Sequence, residues 1–451
     1  MKGGNSAITL MTEGSIAKKI VFFALPLFWG NLFQQLYNVA DTLIVGNTLG
    51  NDALGAVASS GNLIFLMISL FSGIGMGSGV VVARYFGAGD RARLKKAMHT
   101  AVAFALVCGV TLTVLAEILA PQILRLIGTP PEILPKSLVY FRVYFLGSVG
   151  FILFNFLMGI LESLGDSRHP VMFLAFSSIS NVFLDLLFVA VLKMGVGGAA
   201  LATILTQAMS ALLCLRQLMK NPPEYRLYLR ELRIDRTMLK LIASNGIPAG
   251  IQNSIIAIAN VFVQSNINAF GRMAVAGCGS YAKIEGFAFI PVMCFSQAIS
   301  TFVSQNIGAG KGKRAFKGAV FGAVCSITVA EIIGLTIYAL APRLIGAFGG
   351  EPEAVAIGIT QSHIGPLFYF LLAFSHCMAA VRRGAGKSFI PMFVMMFVWC
   401  FLRVGYITVA VRFFPVITTV FWAYPLTWSI SSVIFLIIFL KGKWMGAAAA
   451  A

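Results

Sequence analysis

The stretch Pro26-Leu-Phe-Trp-Gly-Asn-Leu-Phe-Gln-Gln-Leu-Tyr-Asn-Val-Ala-Asp41 decides how the rest of the chain reads. It is apolar enough to enter a bilayer. Within it Asn31, Gln34, Asn38 and Asp41 recur three or four residues apart, so on a helix they line one face. Asp41 closes that stripe at membrane depth. A carboxylate there costs roughly 2.5–3.5 kcal/mol on insertion scales and usually marks function. A polar seam that glues helices together is the plainer alternative.

The 451 residues are 58% hydrophobic and 11% charged, with a mean hydropathy of +0.88. Soluble domains carry about 25% charged residues. The composition therefore predicts an all-α polytopic membrane protein. Apolar runs of roughly 20 residues or more give about twelve segments. The first lie near 18–46, 53–84 and 96–119, the last near 390–411 and 417–440. The polar N-terminus and the long first run predict no cleavable leader. The seven cysteines fall almost wholly in apolar runs without CxxC or Cys/His spacing, so they read as small buried hydrophobes. Residues 446–451 are a low-complexity tail and are set aside.

The net charge of +18 would suit nucleic acid, but its placement does not. Alternate turns hold 25 and 6 of the 34 Lys and Arg residues, and three lie inside segments. That bias predicts two cytoplasmic termini, an even segment count and a multi-pass protein of the cell (inner) membrane. The chain also repeats itself at an offset of 221–222. Gly87-Ala88-Gly89 with Arg93 and Lys96 recurs as Gly308-Ala309-Gly310 with Arg314 and Lys317. Gly165, Ser167 and Pro170 recur as Gly386, Ser388 and Pro391, and Pro26 as Pro248. Two bundles of six helices follow, at 1–220 and 238–445, joined by a basic linker at 221–237 that contains Pro222-Pro223. Six is even, so the bundles share one orientation about a pseudo-two-fold along the membrane normal.

Taken together in register, these motifs resemble the multidrug and toxic compound extrusion (MATE) family over roughly residues 12–440. They comprise the 6+6 repeat, the Pro26–Asp41 helix and the Gly-Ala-Gly-x-x-x-Arg turns. The paired turns Leu164-Gly165-Asp166-Ser167-Arg168-His169-Pro170 and Gly384-Ala385-Gly386-Lys387-Ser388-Phe389-Ile390-Pro391 belong with them. Asp41 together with Asn181-Val-Phe-Leu-Asp185 is similar to the prokaryotic DinF-like branch. That resemblance implies an acidic site in the first lobe for cation coupling, with Asn155 and Thr203 joining it. It also implies a multidrug substrate class. The NorM-like branch uses an acidic pair in the second lobe, and no second acid accompanies Glu285 here. The chain departs from the family at Leu161-Glu162-Ser163, where Leu-Arg-Gly is common.

The residues themselves carry part of this reading. Asn181 and Asp185 are four apart, hence on one helix face. Asp41 and Asp185 both lie in the outer half of outward-running segments. Facing acids in a low dielectric titrate as a pair and could hold a proton, or a Na⁺ with Asn181. Asp41 maps to Val263 and Asp185 to Tyr406, so the acids are not part of the duplicated scaffold. Tyr37, Gln34, Phe154, Met172, Glu285 and Met293 are candidates for a substrate chamber, since flexible Met and flat aromatic faces suit varied organic cations. For most such residues core or lipid-facing packing is the plainer reading.

The expectation is a cation-coupled antiporter, using H⁺ or Na⁺, that exports amphipathic, often cationic organic compounds by rocking alternating access. It works as a monomer in the lipid bilayer, without a cofactor and without nucleic acid. A flippase for a lipid-linked precursor is the alternative, and a basic cavity would favour it. HExxH, GxSxG and nucleotide-binding motifs are absent, so an enzyme is not expected.

Overall fold

The computed structural model describes residues 9–126 and 129–441. Side chains at 38–43, 45–47, 49–56, 58, 59, 62, 63 and 126 lie outside the described set. The described backbone is helical, with no strand among the described residues. The first repeat supplies α1 (Ile16–Ala88), α2 (Arg91–Leu126), α3 (Leu134–Leu146), α4 (Ser148–Ser163), α5 (Arg168–Asp185) and α6 (Gly195–Lys220). The second supplies α7 (Arg236–Asn268), α8 (Arg272–Gly308), α9 (Gly312–Gly346), α10 (Pro352–Ser362), α11 (Tyr369–Gly384), α12 (Phe389–Met395), α13 (Arg403–Phe413) and α14 (Ile417–Leu440).

Eleven helices among the described residues are long and apolar enough to cross a membrane. The pair α3–α4, bent by 47°, makes up to twelve. Two of these spans, Ile16–Tyr37 and Ile64–Ala88, lie within α1, whose helical backbone is continuous across the turn expected between 46 and 53. The bend between α3 and α4 falls at Gly147, where a Cβ would lie 2.2 Å from the Ile204 side chain. The equivalent break in the second repeat is a short 3₁₀ turn, Gly365–Phe368, between α10 and α11.

The sequence repeat survives as backbone geometry. Gly89 and Gly310 have φ of +68° and +70°, and Gly165 and Gly386 have +81° and +75°. A side chain is strained in that region, so the paired glycines are required by the paired turns. Asp90, Asp166 and Asp235 then cap α2, α5 and α7 with their carboxylates.

Packing divides the chain into two compact units that differ from the sequence halves. One comprises Trp29–Gly250 and the segment ending at Leu10; the other comprises Met11–Phe28 and everything from Ile251 onward. The opening part of α1 and that of α7 have therefore changed places. Each helix passes between units two residues after its proline, Pro26 or Pro248. In the first unit α2, α3 and α5 pack on α4 and α6 around Phe156, Leu157, Ile160 and Phe141. Gly73 and Gly77 of α1 meet Gly250 and Gly246 of α7, each pair spaced by four. A Cβ on Gly77 would lie 2.2 Å from the Gly246 backbone, so only glycine permits this approach. In the second unit α8, α9 and α11 pack together around Ile299, Val303, Tyr369 and Trp428. The lead-in to α1 is pinned there: Met11 N donates to Gln305 Oε1 at 2.8 Å, and Arg314 Nη2 donates to the Met11 and Glu13 carbonyls.

Candidate functional site

Asn181 and Asp185 occupy the last turn of α5, against α6. The apolar residues between them turn outward, as Phe183 does at 68% exposure, which sets the polar pair inward. Asp185 is fully buried and Asn181 is 1% exposed. Neither amide atom of Asn181 has a hydrogen-bond partner among the described residues. An unsatisfied buried amide costs about 1–3 kcal/mol, so this position favours something that supplies it. Directly after Asp185 the backbone widens into a π-helical turn, Leu186–Val191. Such turns recur at functional sites.

Two further predicted residues lie in the same unit. Asn155 on α4 donates from Nδ2 to the Phe151 carbonyl at 2.9 Å, which leaves its Oδ1 as an acceptor. Thr203 on α6 donates to the Ala199 carbonyl at 3.1 Å and keeps its hydroxyl lone pairs. The side chain of Asp41 lies outside the described residues, as does that of Asn38. The described candidates are thus a buried carboxylate at Asp185, the amides of Asn181 and Asn155 and the hydroxyl of Thr203, each with oxygen lone pairs.

The chamber candidates are dispersed. Phe154 is buried in the core of the first unit, and Met172 and Met293 are half exposed on α5 and α8. Tyr37 and Gln34 are partly buried on α1. Glu285 sits in a polar network of the second unit. It accepts from Tyr281 Oη at 3.1 Å, and Tyr281 Oη lies 3.0 Å from Tyr369 Oη. A water-sized cavity of about 10 Å³ is lined by Tyr281, Glu285, Gln361, Gly365, Phe421, Tyr424 and Trp428. Beyond Tyr424 lies Arg403. Its guanidinium donates to Thr427 Oγ1 at 2.9 Å and stacks 4.4 Å from the Tyr424 ring and 5.5 Å from that of Trp399. Arg403 also interacts electrostatically with Glu285. Tyr281, four residues before Glu285, could have been found by helical spacing. Tyr369 and Tyr424 carry no such signal. Glu117 of α2 pairs with Arg142 of α3 at 3.7 Å. All seven cysteines are free.

Apolar helices of this length, repeated along the chain, define a polytopic membrane protein. A sequence model of the MatE family matches residues 26–187 and 248–408, and the chain belongs to that family. Members of that family are transporters, and this chain is not an enzyme. It is 29% identical over 375 residues to the Bacillus subtilis (strain 168) protein described as "Probable multidrug resistance protein YpnP", covering 83% of this chain and 84% of that one. A Thermotoga maritima protein described as "Probable multidrug resistance protein NorM" is 27% identical over 438 residues, covering 95% and 93%. The fold matches a solved outward-facing multidrug resistance MATE family transporter of the MOP superfamily with a TM-score of 0.92. The two share 23% identity, with both chains covered fully.

Proposed function

We propose that this chain is a cation-coupled multidrug exporter that exchanges H⁺ or Na⁺ for small amphipathic, often cationic compounds. The observation that carries the reading is the buried Asn181–Asp185 pair on α5. A carboxylate at that depth is held at a cost of a few kcal/mol unless it loads a cation. The names of the similar proteins support drugs as the exported class. In this reading Asp185 and Asp41 share the ion, with Asn181, Asn155 and Thr203 as neutral ligands. Loading removes charge and biases alternating access by rocking of the repeats. Tyr37, Gln34, Phe154, Met172 and Met293 contribute to substrate contact, and Glu285, also a chamber candidate, is taken up by its Tyr281 network instead. The charge bias of 25 to 6 supports an inner-membrane protein with both termini cytoplasmic, working as a monomer.

Vesicles containing the purified protein test this. Ethidium efflux is followed with a proton gradient alone, then with a sodium gradient alone. One of the two should drive efflux at least tenfold above the ungradiented rate. Efflux indifferent to both gradients would remove the coupled mechanism.

A further inference from the structure

The linker leading into α7 is fastened to α2 through a histidine whose ring hydrogens have only one arrangement. The backbone N–H of Tyr228 donates to His99 Nε2 at 3.1 Å. A backbone amide can only donate, so Nε2 must carry a lone pair. On the other side His99 Nδ1 lies 2.7 Å from the Lys95 carbonyl, which can only accept, so Nδ1 carries the hydrogen. The imidazole is therefore neutral, and it is 3% exposed. A second proton would have to sit on Nε2, pointing at the Tyr228 N–H.

The same segment makes its other contacts close by. Thr100 Oγ1 accepts from Asp235 N at 3.1 Å and lies 3.4 Å from the Arg233 carbonyl. Asp235 in turn caps α7 through Thr237 N and Met238 N at 3.0 Å each. What holds Tyr228 to Asp235 against α2 thus also places the first turn of α7. The charged groups around His99 are Lys95 on its own helix and Glu231, Arg233 and Asp235 on the linker. Helix α4, packed along α2, carries Glu162 in its last turn. The second repeat has no counterpart: Val320 stands at the equivalent of His99, and the lead-in to α1 is held by the guanidinium of Arg314 instead.

We propose that His99 is a proton-operated clasp: neutral, it holds Tyr228–Asp235 and the start of α7 on α2; protonated, it lets that segment go. The device answers the pH of whichever compartment the linker faces, independently of any coupling ion at Asp185. An imidazole ordinarily changes charge between about pH 5 and 8. Glu231 does not confuse that window. Lys95 donates to it at 2.7 Å and holds its carboxyl below the usual carboxylate range. Its contribution is present above that range and is lost only as pH falls through the lowered value.

Hydrogen–deuterium exchange of the full chain in detergent micelles tests this, read on the peptide containing Tyr228 at pH 7.5 and 5.5 after division by the intrinsic exchange rate. The expected result is a loss of protection of about fivefold at pH 5.5, the equivalent of one net hydrogen bond. His99→Gln, which keeps an acceptor and cannot charge, should show no acid-dependent step. Thr100→Val should lower protection at both pH values and keep the step. Equal protection of the natural protein at both pH values would overturn the clasp. So would a natural-sized step in His99→Gln, or loss of the step in Thr100→Val.

Discussion

Thr203 in the first repeat and Tyr424 in the second stand at equivalent positions, and the polar residues around them have nothing in common. Helix α5, packed against the helix that carries Thr203, holds Asn181 and Asp185, whose counterparts at an offset of 221 are Leu402 and Tyr406. Around Tyr424 are Glu285 and Arg403, whose counterparts are Ile64 and Val182. The scaffold was duplicated; the charges were not. In the second repeat the buried acid accepts from Tyr281, and Tyr424, which lines the same small cavity, carries the buried Arg403 on its ring. In the first repeat the cation inside the segments, Arg142, is engaged by Glu117. In the proposed mechanism Asp185 loads the ion, and Glu285, held by Tyr281, stiffens its bundle.

The largest expected effect concerns the scaffold. Gly77→Ala would drive a Cβ into the Gly246 backbone at 2.2 Å, whereas the second repeat carries Ala298 at the same position. Thermal unfolding in micelles should show Gly77→Ala destabilised by about 3 kcal/mol, against about 1 for Ala298→Gly. Equal effects would mean the repeats pack alike here. Next, Tyr281→Phe removes the donor to Glu285 and should cost about 2 kcal/mol while leaving efflux near normal. Its counterpart Ser60→Ala gives up only a 3.4 Å contact to the Ser137 carbonyl and should cost under about 1 kcal/mol. A transport defect in Tyr281→Phe without loss of stability would move Glu285 into the mechanism. The smallest effect belongs to the exposed Arg272–Glu351 pair, 80% and 58% exposed, where Arg272→Ala should change stability by under about 0.5 kcal/mol.

The parts of this comparison that were legible in the sequence share a short range. Asn181 and Asp185 fall on one face because they are four apart. Gly89 and Gly310 announce matching turns because a positive φ excludes most other residues. The helical spans follow from hydropathy alone. What stayed hidden depends on contacts far apart in the chain. The repeat offset shows that α1 and α7 correspond, yet it cannot show that their opening parts pack in exchanged units. Arg403 lies inside an apolar run and so reads as a cation at depth. Its aromatic surroundings on α14 and in the π-helical turn Met396–Leu402 were not legible, since no spacing rule joins those elements. The hold of His99 on the linker spans 129 residues and is equally silent in sequence.

The central claim, that the coupling ion belongs to the first repeat, is tested most directly by comparing Asp185→Asn with Glu285→Gln in the same gradient-driven ethidium efflux assay, at equal amounts of folded protein. A bias of roughly 2.7 kcal/mol is a hundredfold in a two-state equilibrium. Asp185→Asn should therefore lower gradient-driven efflux about a hundredfold while ethidium still binds, and Glu285→Gln should stay within about threefold of the natural protein. Full gradient-driven efflux by Asp185→Asn, or its loss in Glu285→Gln alone, would contradict the account.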